Sequence, residues 1–448
     1  MSLMISISGI RGIFGKDLNP QNLAQFTAAF GIWANKGTIV VGRDSRVTGE
    51  LCERIVIASL QSVGCNVISL GIVPTPTVAM GVLKHKASGG IVISASHNPA
   101  EWNALKLLNE KSEFLDADQG KSVIEIASST ELPYVDYRHI GSVQDDETIS
   151  GHHMQAIIDL PYIDTEKIKR GGFKVAVDAV NGAGSYIIPN FLNKIGVEQV
   201  EALYCEPNGL FPHNPEPLPE HLTDICDLVK EKGCDIGIVV DPDADRLAIV
   251  DENGRLWGEE YTLATAIDFI LGKKKGPVAA NLSSSRVLDD VASRHGVICH
   301  RSAVGEINVV KEMQKVGAVI GGEGNGGVIS PDLHFGRDAM IGIGMILQHL
   351  SESGKTASEY RDSLPDYTII KTKMQLDGID AESILNKIQS AFSEHNPNTI
   401  DGVKIDLPEG WIHLRKSNTE PIIRIYSEAP TADEAKKLAE KVMQLVAT

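Results

Sequence analysis

The sequence predicts an α/β protein in which three related mixed α/β domains precede a smaller C-terminal α+β domain. The first observation is a weak internal repeat of a β-branched run, a polar loop, a helical stretch and a second apolar run. The three copies are TIVVGRDSR with VGCNVISL, KVAVDAVNGAG with IGVEQVEAL, and GPVAANLSSSR with HGVICHRS. A strand, a helix and a second strand at this spacing form a βαβ unit, so three copies indicate three related domains.

Two further observations support this fold class. Apolar runs such as IVIS and IGIVV are continuous, which is typical of strands covered on both faces of a sheet. The last part of the chain differs, because WIHL and IIRIY flank a polar loop and the helical segment ADEAKKLAEKVMQLV follows them. We therefore place the four domains at residues 1–159, 160–258, 259–367 and 368–448.

Composition and charge limit the partners. The 448 residues are 42% hydrophobic and 23% charged, and they carry a formal net charge of −17. Proteins that bind nucleic acid or anionic membranes through general charge attraction are basic, so neither partner is expected. No apolar run approaches the ~18 residues that a membrane-spanning helix needs. A small anionic substrate would need locally gathered cations, and the sequence leaves the oligomeric state open.

Six cysteines at irregular spacings form no C-x-x-C pair. In a chain of this length the pattern predicts reduced thiols and argues against a disulfide scaffold or a structural zinc site. The first residues lack the basic segment, apolar stretch and cleavage motif of a secretory signal, so we expect a cytoplasmic protein.

The first candidate loop is SASHNP, residues 94–99, which follows the apolar run IVI. An Asn-Pro pair favours a turn, so we expect Ser96 and His97 at the carboxyl end of a strand, where open α/β sheets bind ligands. A structural turn is the simpler interpretation. A Ser-His hydrolase is disfavoured because G-x-S-x-G is absent. A serine that carries phosphate fits better if a divalent metal and cationic groups lie nearby.

The second candidate loop is DPDADR, residues 241–246, directly after IGIVV. Asp241, Asp243 and Asp245 alternate in an extended segment and therefore share one face. Three converging carboxylates repel one another, and a hard cation such as Mg²⁺ is their natural counter-ion. A solvated acidic turn is the alternative. An EF-hand is disfavoured because Arg246 stands where that loop needs glycine, and the D-x-D-x-[TV] motif of haloacid-dehalogenase-type phosphotransferases matches only in part.

The third candidate loop is GEGNGG, residues 322–327. It matches G-x-G-x-x-G, but VISPD follows in place of a helix, which argues against a dinucleotide site. We interpret it as a flexible loop that offers Glu323 and Asn325 to sugar hydroxyls, with a purely structural glycine turn as the alternative.

The fourth candidate loop is RKSNTEP, residues 415–421, with Arg424 on the next predicted strand. It combines a guanidinium, an ammonium group, hydroxyls and backbone amides in one tight turn. Because arginine binds phosphate through paired hydrogen bonds, the loop is suited to holding an anion. A charged surface turn is the alternative.

These motifs, in this order, resemble those of the α-D-phosphohexomutase superfamily over the full length of the chain. They are S-G-I-R-G near the start, S-A-S-H-N-P, D-x-D-x-D-R, G-E-x-N-G and R-x-S-N-T-E-P. The resemblance implies four domains around a central cleft. The variants DPDADR, ASHNPAEWNALK and GEGNGGV are most similar to the archaeal-type phosphoglucosamine mutase branch, with phosphomannomutase/phosphoglucomutase members as near neighbours.

The resemblance also implies roles for individual residues. Ser96 would be the phosphoserine and would share one Mg²⁺ with Asp241, Asp243 and Asp245. The basic positions of the active centre would be Arg11, Lys106 and Arg246. The sugar hydroxyls would be selected by Glu323 and Asn325. The phosphate of the substrate would be held by the fourth loop, through Arg415, Ser417, Asn418 and Thr419, with Arg424 beside them.

One position departs from the family pattern. Many members carry a histidine at the end of the sugar loop, where this chain has Gly327. Any proton transfer by that histidine must be absent here or be carried out by another group, and the candidates are Lys106, His97 and Glu306.

The implied reaction moves phosphate between O6 and O1 of a hexose through a phosphoserine enzyme and a sugar bisphosphate. We expect glucosamine 6-phosphate and glucosamine 1-phosphate as the pair, with phosphomannomutase/phosphoglucomutase activity as the alternative. Two other classes remain: a phosphatase that forms an aspartyl phosphate on Asp241, and a non-catalytic protein that binds sugar phosphates.

Overall fold

Four β-sheets organise the chain in the computed structural model, which describes residues 3–6, 9–129, 131–376, 380–417 and 422–447. We call each sheet with its helices a domain and number the domains I to IV in chain order. Domains I to III are mixed α/β units and domain IV is a smaller α+β unit. The fold class predicted from the sequence is therefore confirmed.

Domain I contains the largest sheet. Its strands are β1 (Met4–Ser6), β2 (Gly9–Ile13), β3 (Thr38–Arg43), β4 (Asn66–Ile72), β5 (Gly89–Ile93), β6 (Trp102–Leu108) and β7 (Val143–Asp145). Its helices are α1 (Pro20–Trp33), α2 (Gly49–Ser62), α3 (Thr75–His85), α4 (Ala117–Ala127) and α5 (Ile149–Ile158). The strand order is β1-β2-β6-β5-β3-β4-β7. Helix α1 begins at Pro20 because Asn19 caps it: the Asn19 side chain accepts hydrogen bonds from two amides of the first turn. Proline is favoured at the first helical position.

Domain II is built on a sheet of four strands. The strands are β8 (Lys174–Asp178), β9 (Gln199–Leu203), β10 (Ile236–Val240) and β11 (Leu247–Asp251). From one edge to the other, the strand order is β11-β10-β8-β9. The helices are α6 (Thr165–Gly171), α7 (Gly184–Lys194) and α8 (Thr223–Lys232). Every residue of β10 is buried, as its unbroken apolar sequence predicts.

Domain III repeats the same plan. Its strands are β12 (Val278–Asn281), β13 (Cys299–Ser302), β14 (Ile320–Glu323) and β15 (Gly327–Ile329). Its helices are α9 (Glu259–Lys273), α10 (Val287–Arg294), α11 (Glu306–Val316), α12 (Ala339–Ser353) and α13 (Ala357–Asp362). The strand order is β13-β12-β14-β15.

Domain IV is an antiparallel sheet packed with two helices. Its strands are β16 (Thr368–Gln375), β17 (Val403–Leu407), β18 (Gly410–Lys416) and β19 (Ile422–Ala429). Its helices are α14 (Ala381–Ala391) and α15 (Ala432–Ala447). The strand order is β16-β19-β18-β17, and each neighbouring pair runs antiparallel.

The internal repeat seen in the sequence is a repeat of topology. In domains I to III, the first strand of the repeat unit pairs in parallel with the strand that follows the next helix. The pairs are β3 with β4, β8 with β9, and β12 with β13. A third strand pairs in parallel on the other side of the first and then turns back into an antiparallel partner. The turns after β5, β10 and β14 are therefore equivalent positions in the three domains.

The buried hydrophobic clusters are shared unequally among the four domains. One continuous cluster of buried side chains runs through domains II and III, and it includes α9 and α12. Domain I has separate clusters on its sheet, and domain IV has its own. Domains II and III therefore form one packed block.

The six cysteines are free thiols, as their irregular spacing predicts. In the part of the chain that the structure describes, no helix has the length and apolar character required to cross a membrane.

The approach of β2 to β6 requires a glycine at position 9. Gly9 has φ +133°, and a Cβ there would lie 1.8 Å from the Leu105 carbonyl oxygen. We predict that Gly9→Ala lowers the free energy of unfolding by about 3 kcal/mol, measured by urea denaturation. Gly15→Ala is the matched control, because Gly15 has φ +82° but no atom within 4 Å of a Cβ. It should cost about 1 kcal/mol, and equal losses would contradict the steric explanation.

Candidate active site

The turn after β5 presents Ser96 in a strained, buried position. Ser96 has φ +50° and only 3% of its surface is exposed. A non-glycine residue in this backbone region is unusual and is commonly found where a side chain must be aimed. The Ser96 hydroxyl donates a hydrogen bond of 2.8 Å to Oδ2 of Asp241, which belongs to domain II.

A fully buried arginine holds this turn in place. Arg46 donates to the backbone carbonyl oxygens of four residues at distances between 2.6 and 3.0 Å: Ser96, Asn98, Pro99 and Trp102. Its Nε lies 3.1 Å from Asp44 Oδ2, and both side chains are 0% exposed. The guanidinium therefore joins the carbonyl groups of the Ser96 loop to the start of β6, which fixes the path of that loop.

The turn after β10 gathers the three aspartates. One oxygen from each of Asp241, Asp243 and Asp245 lies within 4.8 Å of the others, and all three residues are buried. Asp241 Oδ1 accepts hydrogen bonds of 3.1 Å from the backbone amides of Asp245 and Arg246, which closes the turn. Among the described residues, Oδ1 of Asp243 and Oδ1 of Asp245 are buried without a hydrogen bond.

Lys106 and Thr75 bind the outer side of this cluster. Lys106 Nζ lies 2.5 Å from Asp243 Oδ2 and 3.5 Å from Asp245 Oδ2, and Thr75 Oγ1 donates to Asp243 Oδ2. Burial acts to raise the pKa of Asp243, but Lys106 outweighs it and the pKa is lowered. Burial together with the charges of Asp245 and Asp243 raises the pKa of Asp241 well above its usual value. A negative charge on Asp241 is thus unfavourable beside the other two carboxylates unless a further cation compensates it.

Cations surround the other side of Ser96. Arg11 donates a 2.8 Å hydrogen bond to Asn98 Oδ1, and His97 Nδ1 lies 3.3 Å from the Ser96 hydroxyl. Burial, followed by the charge of Arg246, lowers the pKa of His97 to about 2. His97 is consequently neutral, and the lowered pKa reflects a locally positive environment in a chain that is acidic overall.

The turn after β14 carries Glu323 and Asn325. Glu323 Oε1 accepts hydrogen bonds from Asn281 Nδ2 at 3.0 Å and from the Gly305 amide at 3.2 Å. Asn325 folds back on its own loop, since its Oδ1 accepts from the Gly327 amide at 3.2 Å. Glu323 faces the same cavity as Ser96, whereas Asn325 is not one of the residues that line it.

Arg337 connects this loop to the aspartates. Its Nη1 donates to Glu323 Oε2 at 3.0 Å and its Nη2 donates to Asp245 Oδ2 at 2.7 Å. Its Nε lies 2.9 Å from Glu306 Oε2. Burial acts to lower the pKa of Arg337, but these three carboxylates outweigh it and raise the pKa well above its usual value.

The fourth loop, residues 415–421, begins at the end of β18, where domain IV contacts domain III. Arg415 Nε lies 2.8 Å from Asp401 Oδ2, and the same oxygen accepts a 2.9 Å hydrogen bond from the Val304 amide. Arg424 lies directly across from Arg415 in the β18–β19 pair. The Ser417 amide donates to the Ile422 carbonyl at 3.0 Å. Asn418 and Thr419 lie outside the described residues.

A cavity of about 270 Å³ brings part of the predicted site together. The predicted site residues that line it are Arg11, Ser96, His97, Lys106, Arg246 and Glu323, joined by Glu306 and Arg337. The three aspartates lie behind Ser96 and Lys106 through the contacts described above. Arg415 is connected to this cavity through Asp401 and Val304, which is one of its lining residues.

Three residues of this arrangement were not singled out by the sequence: Arg46, Thr75 and Arg337. Arg46 ends the motif VVGRDSR, where an arginine after a buried strand was a usable signal. For Arg337 the only sequence signal was Gly327, which stands where many family members have histidine. A Cβ at position 327 would lie 2.2 Å from Arg337 Cδ, so the arginine occupies the space that a side chain there would need.

Comparisons with known proteins cover the whole chain. Four family models match it in succession, described as Phosphoglucomutase/phosphomannomutase alpha/beta/alpha domains I, II and III and the C-terminal domain. The matched residues are 4–133, 152–254, 258–367 and 374–445.

Individual proteins are similar at moderate identity. A Thermococcus kodakarensis protein named "Phosphoglucomutase/phosphomannomutase" is 36% identical and is covered over 99% of its length by 100% of this chain. A Methanopyrus kandleri protein named "Probable phosphoglucosamine mutase" is 33% identical, with 100% of this chain and 98% of that protein covered. The crystal structure of a Burkholderia thailandensis phosphoglucomutase/phosphomannomutase family protein has a TM-score of 0.84 at 23% identity, over 99% of this chain and 98% of that one.

We predict that Arg46→Ala lowers the free energy of unfolding by about 3–5 kcal/mol, because Asp44 is then buried without its partner. Urea denaturation measures this loss. Arg46→Lys keeps the charge but cannot reach four carbonyl groups, so its loss should be intermediate. Arg138→Ala removes an exposed arginine that pairs with Asp136 and should have little effect. An Arg46→Ala protein as stable as the wild type would contradict the proposed support of the Ser96 loop.

Proposed function

Because the chain belongs to the phosphoglucomutase/phosphomannomutase family, we propose that it interconverts glucosamine 6-phosphate and glucosamine 1-phosphate with Ser96 as the phosphate carrier. The family membership predicted from the motifs is confirmed by the four domain matches and by relatives that align over the full chain. The enzyme class, a hexose-phosphate mutase and hence an isomerase, is confirmed with it. The substrate, the phosphoserine, the metal and the residue roles are our proposals.

The observation that carries the proposal is the hydrogen bond of 2.8 Å between Ser96 and Asp241. It places a hydroxyl from domain I against the carboxylate cluster of domain II, while Arg11, Lys106 and Arg246 face the same cavity. A phosphate on Ser96 carries nearly two negative charges at neutral pH. Cations on one side and a metal site on the other supply the compensation that such a group needs.

Mg²⁺ is the ion that suits the three aspartates. Their oxygens are hard ligands, and the two buried Oδ1 atoms of Asp243 and Asp245 accept no hydrogen bond among the described residues. Lys106 and Arg337 bind the opposite oxygens of these carboxylates, and Arg246 Nε lies 3.9 Å from Asp245 Oδ1, so the Oδ1 atoms remain available to a cation. When bound there, Mg²⁺ would neutralise charge on the transferring phosphate.

The residues of the cleft divide the remaining work. In the first half-reaction, the substrate hydroxyl oxygen forms a bond to phosphorus and the bond between phosphorus and Ser96 Oγ breaks. The hydroxyl proton must leave and Ser96 must regain one, so the transfer is balanced by one proton. His97 Nδ1 lies 3.3 Å from Ser96 Oγ, but its lowered pKa makes it a poor proton acceptor. Lys106 and Glu306, which line the same cavity, are therefore the candidates for exchanging this proton.

The second half-reaction reverses the first at the other end of the sugar. The sugar bisphosphate turns over, its second phosphate returns to Ser96, and the hexose leaves with its phosphate moved between O6 and O1. Arg415 and Arg424, paired across β18 and β19, are placed to hold the phosphate that is not reacting. The predicted partners Ser417, Asn418 and Thr419 belong to the same loop.

Two carboxylates of the cavity are our reason for proposing an amino sugar. Glu306 and Glu323 line the cavity, and both contact Arg337. A cationic substituent such as the amine of glucosamine can pair with one of these carboxylates more strongly than a neutral hydroxyl can. Glucose and mannose phosphates are the alternative substrates. The six free thiols are consistent with a cytoplasmic location.

We predict that Ser96→Ala lowers kcat by about 10⁴-fold or more, because the phosphate carrier is lost. Substrate binding, followed by calorimetry, should remain close to that of the wild type. Ser122→Ala on the exposed face of α4 is the matched control. Phosphate that is stable to hydroxylamine and absent from the Ser96→Ala protein supports phosphoserine, whereas hydroxylamine-labile phosphate on Ser96→Ala would point to an aspartyl phosphate.

We predict that glucosamine 6-phosphate gives the highest kcat/KM when glucosamine, mannose and glucose phosphates are compared at equal concentration in coupled assays. The advantage should shrink above the pKa of the sugar amine, because the amine then loses its charge. A preference for glucose or mannose phosphate would overturn the proposed substrate while leaving the mutase class intact.

A further inference from the structure

We propose that Arg337 is a positioning residue that links the metal-site carboxylate Asp245 to Glu323 of the sugar loop, and that Gly327 is glycine so that this arginine can pass. The inference rests on the proposed function for the roles of the metal and the sugar loop. It concerns a residue that no sequence motif identified.

The first support is the set of partners. Arg337 is 9% exposed and contacts carboxylates from three separate segments, Asp245 after β10, Glu306 at the start of α11, and Glu323 at the end of β14. Each contact is 3.0 Å or shorter. Arginine is suited to this task because its planar guanidinium offers five donors in a fixed geometry.

The second support is the rigidity of the backbone around Arg337. The Asp338 amide donates to the Val328 carbonyl at 2.9 Å, and the Ala339 amide donates to the Ala244 carbonyl at 3.3 Å. Asp338 also caps α12 and accepts a hydrogen bond of 2.8 Å from buried His153. The segment is thereby attached both to the sugar-loop strand β15 and to the aspartate turn.

The third support is the space at position 327. Gly327 is buried and its φ lies outside the range that requires glycine, so an alanine would be allowed by its backbone. A Cβ would nevertheless lie 2.2 Å from Arg337 Cδ and 2.8 Å from its Cγ. The glycine is explained by the arginine, and the two positions should behave as a pair.

The contacts suggest what Arg337 does for the reaction. By binding Oδ2 of Asp245, it holds that carboxylate in place while Oδ1 accepts no hydrogen bond from the described residues. By binding Oε2 of Glu323, it sets the orientation of the sugar-loop carboxylate. Since a guanidinium stays protonated at physiological pH, it cannot replace a histidine in proton transfer. Replacing a group that holds a metal ligand in this way commonly lowers metal affinity or activity by about 10- to 100-fold.

The packing claim is tested by a double-mutant cycle of Gly327→Ala and Arg337→Ala, read out as thermal unfolding. We expect Gly327→Ala alone to lower the melting temperature by about 5 °C or more, because Arg337 must be displaced. In the Arg337→Ala background the same change should have almost no effect. Equal effects of Gly327→Ala in both backgrounds would overturn the claim that the arginine requires the glycine.

The coupling claim is tested with Arg337→Lys, which keeps the charge and lacks the geometry to reach three carboxylates. Mn²⁺ binding to the intact protein, measured by electron paramagnetic resonance, should weaken by about 10- to 100-fold. The KM for the preferred sugar phosphate should rise as well. Arg361→Lys is the matched control, because Arg361 is a largely buried arginine that donates to the Trp257 carbonyl away from this cavity.

The outcomes separate the two levels of inference. Mn²⁺ affinity equal in wild type and Arg337→Lys would refute the positioning role, although the metal site itself would stand. A wild-type protein that binds no Mn²⁺ would refute the proposed metal site, and with it the coupling. Arg361→Lys losing Mn²⁺ affinity to the same degree would show that the loss is a general consequence of removing a buried arginine.

Discussion

The hydrogen bond between Ser96 and Asp241 joins turns that belong to different domains, and the cleft can form only if both turns are held where they are. Several contacts maintain this register. The Thr75 amide donates to the Asp243 carbonyl at 2.9 Å, the Ser45 hydroxyl donates to the Asn181 carbonyl at 2.7 Å, and Lys106 crosses to Asp243. These contacts between domains I and II are hydrogen bonds and an ion pair, whose geometry has a direction that apolar packing lacks.

The charges of the cleft follow from the same constraint. Burying three aspartates together is unfavourable unless cations lie beside them, and domain I supplies Lys106 while domain III supplies Arg337. Each domain thus delivers part of a charge balance that none of them holds alone. The overall charge of −17 and the basic side of the cleft are compatible for this reason, since Arg11, Lys106 and Arg246 are directed inward from separate segments.

Much of this arrangement could be predicted from the sequence, because its causes are local. Continuous apolar runs identified β5 and β10, and the polar motifs that follow them identified Ser96 and the three aspartates. The equivalence of the turns after β5, β10 and β14 comes from the strand pairing, because the sequence repeat covers only β3 with β4, β8 with β9, and β12 with β13. Arg46 and Arg337 could not be predicted in the same way, because their partners lie far away in the chain. Their roles depend on carbonyl and carboxylate positions that only the assembled domains define.

The unequal division of the hydrophobic core has a mechanical consequence. Separating domain II from domain III would expose a continuous apolar interior, whereas domain IV, with its separate core, meets domain III through polar contacts. Ser283 bonds to His413, the Arg286 amide bonds to Glu428, and the Val304 amide bonds to Asp401. Water can replace such bonds at little net cost in free energy. A rotation of the C-terminal domain, the element that bears Arg415, against the block formed by the two central domains would therefore break polar contacts without opening that continuous apolar interior.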